Sequence, residues 1–403
     1  MSSHYGRTHS LGLLFIMGMF LAPVFAGAQA GVSGAQISPV PPMGWANWNS
    51  LGCNYDERTI QAMADALVSS GMRDAGYRYL IIQECIAPAG HRSADGTLEP
   101  DARKFPHGIP ALVDYIHSKG LKAGIYTDVG PKTCAGFEGS YGHEEQDAKT
   151  FAAWGIDLIE EDFCNKPGGY TAVQLYARMH DAIAQTGRPM FFYICVWGSE
   201  LAWTWAPETG NAWRSTDDVG DPGRADWRRI LRNFDQNAFH DASGGPNHWS
   251  DPDMLEIGVP GITPTEEQSV FSLWAISAAP LWAGNDLTTM AVQTRKILTN
   301  REVIAIDQDA LGKPATAIRF LSPELQIWAR PLAGTNSPQA VVLFNRGLKA
   351  ARIHVDWEDL GIYGPAGVRD LWLHKDLGVM QKGYSAVVPA HGVAMVRVDP
   401  AGK

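Results

Sequence analysis

The chain has 403 residues, 45% of them apolar and 19% charged, and carries a formal net charge of −10. That composition allows a large core, gives no sign of disorder, and argues against nucleic acid or an anionic membrane surface as partner. Fourteen Trp and twelve Tyr supply aromatic faces that can stack on sugars, although many of them serve a core.

Arg7 precedes an apolar run over residues 11–25, and Ala26-Gly27-Ala28-Gln29-Ala30 follows it. A basic start, an apolar stretch and small residues at a cleavage site read as a secretory signal peptide over residues 1–30. An uncleaved membrane anchor is the rival reading. Export places the protein outside the cell or in the periplasm, where disulfides persist. Five cysteines remain: Cys53, Cys85, Cys134, Cys164 and Cys195. The odd number leaves at least one thiol free, and no CxxC or Cys/His cluster points to a metal.

Residues 79–82, 122–126, 158–162 and 190–195 read as strands. Helical spacing runs over 58–72, 109–119, 144–154, 172–185, 227–234 and 266–278. Repeated strand-then-helix units indicate a parallel α/β fold, and the length suits a (β/α)₈ barrel over residues 38–312. A doubly wound sheet is the structural alternative, but no Gly-rich phosphate loop follows the first strand. After Gly312-Lys313-Pro314 the pattern changes. Short alternating runs at 317–320, 325–330, 340–344, 351–355 and 393–398 predict an antiparallel β-sandwich over residues 313–403.

Barrel chemistry sits where strands end. Several strand ends here carry polar residues that a core would not use: Gln83-Glu84-Cys85, Tyr126-Thr127-Asp128, Glu160-Glu161-Asp162, Arg214-Ser215-Thr216-Asp217-Asp218 and Trp249-Ser250-Asp251-Pro252-Asp253. Side chains alternate along a strand, so Glu160 and Asp162 share a face and Glu161 takes the other. Two carboxylates across a pocket can cleave a glycosidic bond, one attacking the anomeric carbon while the other protonates the leaving oxygen. Taken singly, each acid could equally be a solvated residue or a helix cap.

Pro41-Pro42-Met43-Gly44-Trp45, Phe105-Pro106-His107-Gly108, Gly124-Ile125-Tyr126-Thr127-Asp128 and Trp249-Ser250-Asp251-Pro252-Asp253-Met254 resemble motifs of glycoside hydrolase family 27, the α-galactosidase family. The resemblance runs from residue 41 to about 315, and the tail resembles the family's β-sandwich. It implies a retaining exo-glycosidase that works by double displacement, without metal or cofactor, on a terminal galacto-configured or related pyranoside of an oligosaccharide or a polysaccharide side chain. Carried over, Asp162 falls on the nucleophile and Asp218 on the acid/base, with Asp217 the alternative acid. Trp48, Tyr126, Trp197 and Arg214 fall on the sugar subsite. The resemblance also implies Cys53–Cys85 and Cys134–Cys164 bridges. Gly210 stands where the partner of Cys195 is usually found, so Cys195 is the expected free thiol.

Four subsite positions depart from the family pattern. Its Asp-Asp-Cys-Trp becomes Gln83-Glu84-Cys85-Ile86, its Lys two residues before the nucleophile becomes Glu160, and its Glu after the strand-five cysteine becomes Val196. Glu160 is expected to raise the Asp162 pKa by like-charge repulsion, unless Arg214 compensates. Relatives that cleave β-L-arabinopyranosides carry Glu at the position of Glu84. Val196 fits instead a changed C2 group, as in relatives acting on N-acetylgalactosamine or isomaltosyl units. A non-catalytic glycan binder is the alternative to an enzyme.

Overall fold

The computed structural model describes residues 37–401. The leader expected over residues 1–30 lies outside them. Among the described residues no helix is long and apolar enough to cross a membrane.

Six strands alternate with helices: β1 (Met43–Ala46), β2 (Tyr79–Ile82), β3 (Lys122–Asp128), β4 (Leu158–Asp162), β5 (Phe191–Cys195) and β6 (Ala212–Arg214). A small hairpin follows, β7 (Gly220–Asp221) with β8 (Arg224–Ala225), and then β9 (Trp249–Asp251) and β10 (Leu281–Ala283). Apart from the hairpin these form one parallel sheet in the order β10-β1-β2-β3-β4-β5-β6-β9. β4 and β5 are buried along their whole length, as strands covered on both faces must be. No ladder joins β9 to β10 among the described residues. Their seam is bridged by the Leu255 N–H donating to the Trp282 carbonyl at 2.9 Å and by Trp282 Nε1 donating to Asp251 at 3.0 Å. Gly44 in β1 has no room for a side chain, since a Cβ there would lie 2.5 Å from the Tyr79 carbonyl and 2.7 Å from the Trp282 ring.

The helices start where local chemistry favours it. Asp56 caps Glu57–Ser69 by accepting from the Thr59 N–H at 2.8 Å, and Thr171 and Thr263 open Ala172–Thr186 and Pro264–Ile276 with capping boxes. The expected helix over 58–72 ends at Ser69, and a separate turn, Met72–Ala75, follows Gly71. Gly71 has φ 84°, a conformation glycine adopts without strain.

The C-terminal part is antiparallel: β11 (Thr316–Phe320), β12 (Leu325–Pro331), β13 (Gln339–Asn345), β14 (Ala351–Asp356), β15 (Ala366–Asp370), β16 (Lys375–Met380), β17 (Gly383–Val388) and β18 (Val393–Pro400). A six-stranded sheet, β11-β12-β13-β18-β15-β16, and the pair β14-β17 enclose a core that includes Ile327, Val341, Leu343, Ile353, Val355 and Trp357. The helix Pro264–Ile276 joins this part to the barrel. Ten of its residues are buried, as expected of a helix packed on every side. Trp372 donates to Ser272 at 3.0 Å, Ser269 to the His391 carbonyl at 2.7 Å, and the buried Arg330 to the Ala275 carbonyl at 2.8 Å.

Glu161 points away from the barrel axis. It is fully buried, and neither carboxylate oxygen has a partner. Burial, with Asp128, Glu144 and Asp147 adding repulsion, pushes its pKa well above the ordinary 4.5, and Arg178 opposes the shift only weakly. A carboxyl whose folded pKa is raised loses stability as pH climbs from its ordinary value toward the folded one. Glu161→Leu is therefore expected to stabilise the protein by about 1–3 kcal/mol near neutral pH. The gain should shrink toward pH 4, as read by denaturant melts across pH. An equal effect at every pH would contradict this account.

Candidate active site

A cavity of about 330 Å³ opens at the C-terminal ends of the strands, on the face where barrels place their chemistry. Its wall includes Trp48, Gln83, Glu84, Tyr126, Glu160, Asp162, Trp197, Arg214 and Asp218. They come from the ends of β1 to β6 or the turns that follow, so the site is assembled by several strands of the barrel together.

At the end of β2 the chain kinks. Glu84 and Cys85 have φ 55° and 56°, left-handed values that cost energy in non-glycine residues and persist only when the surroundings enforce them. The enforcement is visible. Asn47 accepts from the Gln83 N–H at 2.6 Å and donates to its carbonyl at 3.1 Å, and Tyr55 donates to the Glu84 carbonyl at 2.5 Å. Cys85 is bonded to Cys53. The Gln83 amide donates to both Glu160 oxygens, at 2.9 and 2.7 Å. Glu84 faces the loop after β3, accepting from the Thr133 hydroxyl at 2.6 Å and the Ala135 N–H at 2.9 Å.

Asp162, at the end of β4, accepts from the Tyr126 hydroxyl at 2.6 Å and from the Phe163 N–H at 2.8 Å. Burial raises its pKa to about 6, against the pull of those two bonds and of Arg214. The expected cause, repulsion from Glu160, is not what dominates; removal from water is. Glu160 is itself pushed up to about 8, mainly by burial, with Gln83 opposing. Arg214 ends β6. It donates to Asp218 at 2.8 Å and pairs with Asp253 at 2.9 Å. The Asp218 side chain is 59% exposed while that of Arg214 is 6% exposed, so a half-open carboxylate rests on a buried cation.

Asp128 and Asp162 lie close to Cys134 and Cys164. The two sulfurs are bonded to each other, and Asp128 is already accepting from the Gly130 and Cys164 N–H groups at 2.6 and 2.9 Å. This group is therefore a poor metal site.

The family model for "Alpha galactosidase A" matches residues 40–309, and that for the "Alpha galactosidase C-terminal beta sandwich domain" matches residues 322–398. The chain belongs to the α-galactosidase family. It is 41% identical to α-galactosidase A of Cellvibrio japonicus, over 91% of this chain and 93% of that protein. To the α-galactosidase of Coffea arabica it is 44% identical, over 89% and 94%. The crystal structure of α-galactosidase I from Mortierella vinacea matches with a TM-score of 0.85 at 36% identity, covering 93% of this chain and 100% of that one. As a member of the α-galactosidase family the chain is a retaining glycoside hydrolase on a barrel followed by a β-sandwich.

Against that family pattern, the cavity gathers all the expected subsite residues except Val196. Val196 is fully buried in the core and is not on the wall, whereas Cys195 and Trp197 on either side of it are. Chain alternation turns it outward, so it cannot face a C2 substituent here. Asp217 also lies off the wall, 70% exposed at its side chain and 3.6 Å from Arg232. The resemblance assigns no role to Asp251 and Asp253 of the Trp249–Met254 motif. Asp251 accepts from Tyr193 at 2.6 Å and Trp282 at 3.0 Å beneath the cavity, and Asp253 lines it. Their signal in the sequence is a pair of acids at and just past the end of a barrel strand.

Two outcomes follow from this geometry. Cys53–Cys85 and Cys134–Cys164 are bridged and Cys195 is free and buried, so the denatured, unreduced protein is expected to titrate with one thiol; three or more would refute the pairing. The Tyr126 hydrogen bond holds the Asp162 pKa down. Tyr126→Phe should therefore move that ionisation upward from about 6, seen as an alkaline shift of the acid limb of kcat/KM; a limb that stays in place would remove Tyr126 from this role.

Proposed function

We propose that this glycosidase is exo-acting, with Asp162 as nucleophile and Asp218 as general acid/base, and that its sugar subsite has been re-specified away from galactose. The observation that carries the reading is the placement of both carboxylates on one small cavity in opposite environments. Asp162 is buried and aimed by Tyr126 and the Phe163 N–H, while Asp218 is half-open beside Arg214. Asp162 attacks the anomeric carbon while Asp218 gives its proton to the departing oxygen. Asp218 then takes a proton from water as that water displaces Asp162, so the anomeric configuration is restored. The cavity volume is at the small end for ligand pockets, which suits a terminal sugar of an oligosaccharide or side chain. Export through the leader at residues 1–30 is consistent with the two disulfides.

Specificity follows from the rewired polar groups. Where the family pattern has a Lys that donates to the sugar, this chain places the Glu160 carboxyl, already engaged by Gln83. Glu84, a methylene longer than the family's Asp, is pinned by Thr133 and Ala135 and cannot swing aside for a C6 hydroxymethyl group. Losing each hydrogen bond costs roughly 0.5–1.5 kcal/mol. Two or three such losses lower galactoside turnover by about tenfold or more, at tenfold per 1.4 kcal/mol.

The test is an aryl glycoside panel of α-galactoside, β-L-arabinopyranoside, α-N-acetylgalactosaminide and isomaltoside. The pentopyranoside is expected to outperform the α-galactoside, and Glu84→Asp to move preference back toward galactosides. Asp162→Asn should abolish turnover, and Asp218→Ala should be partly rescued by azide. Vigorous wild-type α-galactosidase activity would overturn the subsite reading, and no turnover of any member would favour a non-catalytic glycan binder.

A further inference from the structure

Asp218 stands on a loop that leaves the barrel after Arg214, and its only side-chain partner among the described residues is that arginine. A half-exposed carboxyl on a loop needs something to hold the loop. The segment that follows β9 supplies it, residue by residue. The Ser215 N–H donates to the Asp251 carbonyl at 2.9 Å, the Thr216 hydroxyl to the Pro252 carbonyl at 3.1 Å, and the Val219 N–H to an Asp253 carboxylate oxygen at 2.8 Å. The other Asp253 oxygen pairs with Arg214 at 2.9 Å.

Among the described residues, Asp253 is therefore the one side chain that grips both the residue following Asp218 and the cation on which Asp218 rests. It is itself held hard. Its φ is 91°, a costly value for a residue with a side chain. Its N–H donates to Asp251 at 2.8 Å, and its carbonyl accepts from Trp274 Nε1 at 2.7 Å. Only 5% of it is exposed, on the cavity wall. Strain kept in place by two backbone hydrogen bonds, with both carboxylate oxygens engaged as well, is more than a core acid requires.

We propose that Asp253 is a positioning residue, whose carboxylate locks Arg214 and the backbone after Asp218 together and so sets where the acid/base carboxyl stands. This rests on the assignment of Asp218 above. Asp253→Asn keeps the size and one acceptor but removes the ion pair with Arg214. A misplaced general acid harms substrates with poor leaving groups most, because activated leaving groups depart with little protonation.

The experiment compares the 2,4-dinitrophenyl and methyl glycosides of whichever panel sugar turns over fastest, using the full chain. Asp253→Asn should raise the ratio of kcat/KM for the dinitrophenyl over the methyl glycoside by about 10–100-fold. Because both rates come from one sample, the ratio is insensitive to any loss of folded protein. In an Asp218→Ala background, adding Asp253→Asn should leave the ratio nearly unchanged, since residues acting as one unit are non-additive. A ratio unchanged from wild type in the single variant, or equal multiplicative effects with and without Asp218, overturns the role of Asp253 alone. If Asp218→Ala itself leaves the ratio unchanged, the acid/base assignment fails and this inference fails with it.

Discussion

Carboxylates are costly to take out of water, yet this cavity wall carries six of them, Glu84, Glu160, Asp162, Asp218, Asp221 and Asp253, against one cation, Arg214. Burial pushes Asp162 to about 6, Glu160 to about 8 and Asp253 to about 7, and in each case Arg214 pulls the other way. The guanidinium is planar and multidentate, so one group can serve several acids at fixed angles where a lysine could not. Its place at the end of β6, level with Asp251 on β9, puts it between the nucleophile's side of the barrel and the loop that carries Asp218. Remove that charge and the site becomes an unbalanced cluster of acids.

The rest of the fold keeps those groups from moving. The Cys53–Cys85 and Cys134–Cys164 bridges, with Cα separations of 5.6 and 5.0 Å, tie down the turns after β2 and β4, which flank Glu84 and Asp162. Farther out, the helix Pro264–Ile276 is clamped between barrel and sandwich, and its Trp274 reaches back to the Asp253 carbonyl. The C-terminal sheet thus touches the chemistry indirectly, by fixing a helix whose side chain anchors the segment after β9. Preorganisation of this kind lets hydrogen-bonding groups act without rearranging during the reaction.

Within that rigid frame, Gln83 and Glu160 are matched to each other, and Glu84 is matched to the loop after β3. Gln83 satisfies the Glu160 carboxyl, and Thr133 with Ala135 satisfies Glu84, so none is left as a bare buried charge. A decaying site would accumulate orphaned groups. The Glu161 carboxyl, on the opposite face of β4, is the contrasting case: it has no partner, and it lies outside the cavity wall.

Much of this was legible along the chain. The strand-then-helix rhythm, the change of texture after Pro314 and the opposite facing of Glu160 and Glu161 are local patterns, set by how a backbone alternates or turns. The three-residue strands β6, β9 and β10 are too short to leave a periodicity in the sequence and are held in place by their neighbours. β15, β16 and β17 lack a clean alternation, each carrying a glycine, and are set by pairing with β18, β15 and β14 respectively. Val196 was assigned by resemblance, although alternation alone would have turned it from the cavity. What the tertiary structure decided is who bonds to whom. Gln83 meets Glu160 across 77 residues and Glu84 meets Thr133 across 49, while Asp253 reaches Arg214 from the segment after β9. Such contacts depend on strand register and loop course, which arise only when the sheet curls and brings distant strand ends to one mouth.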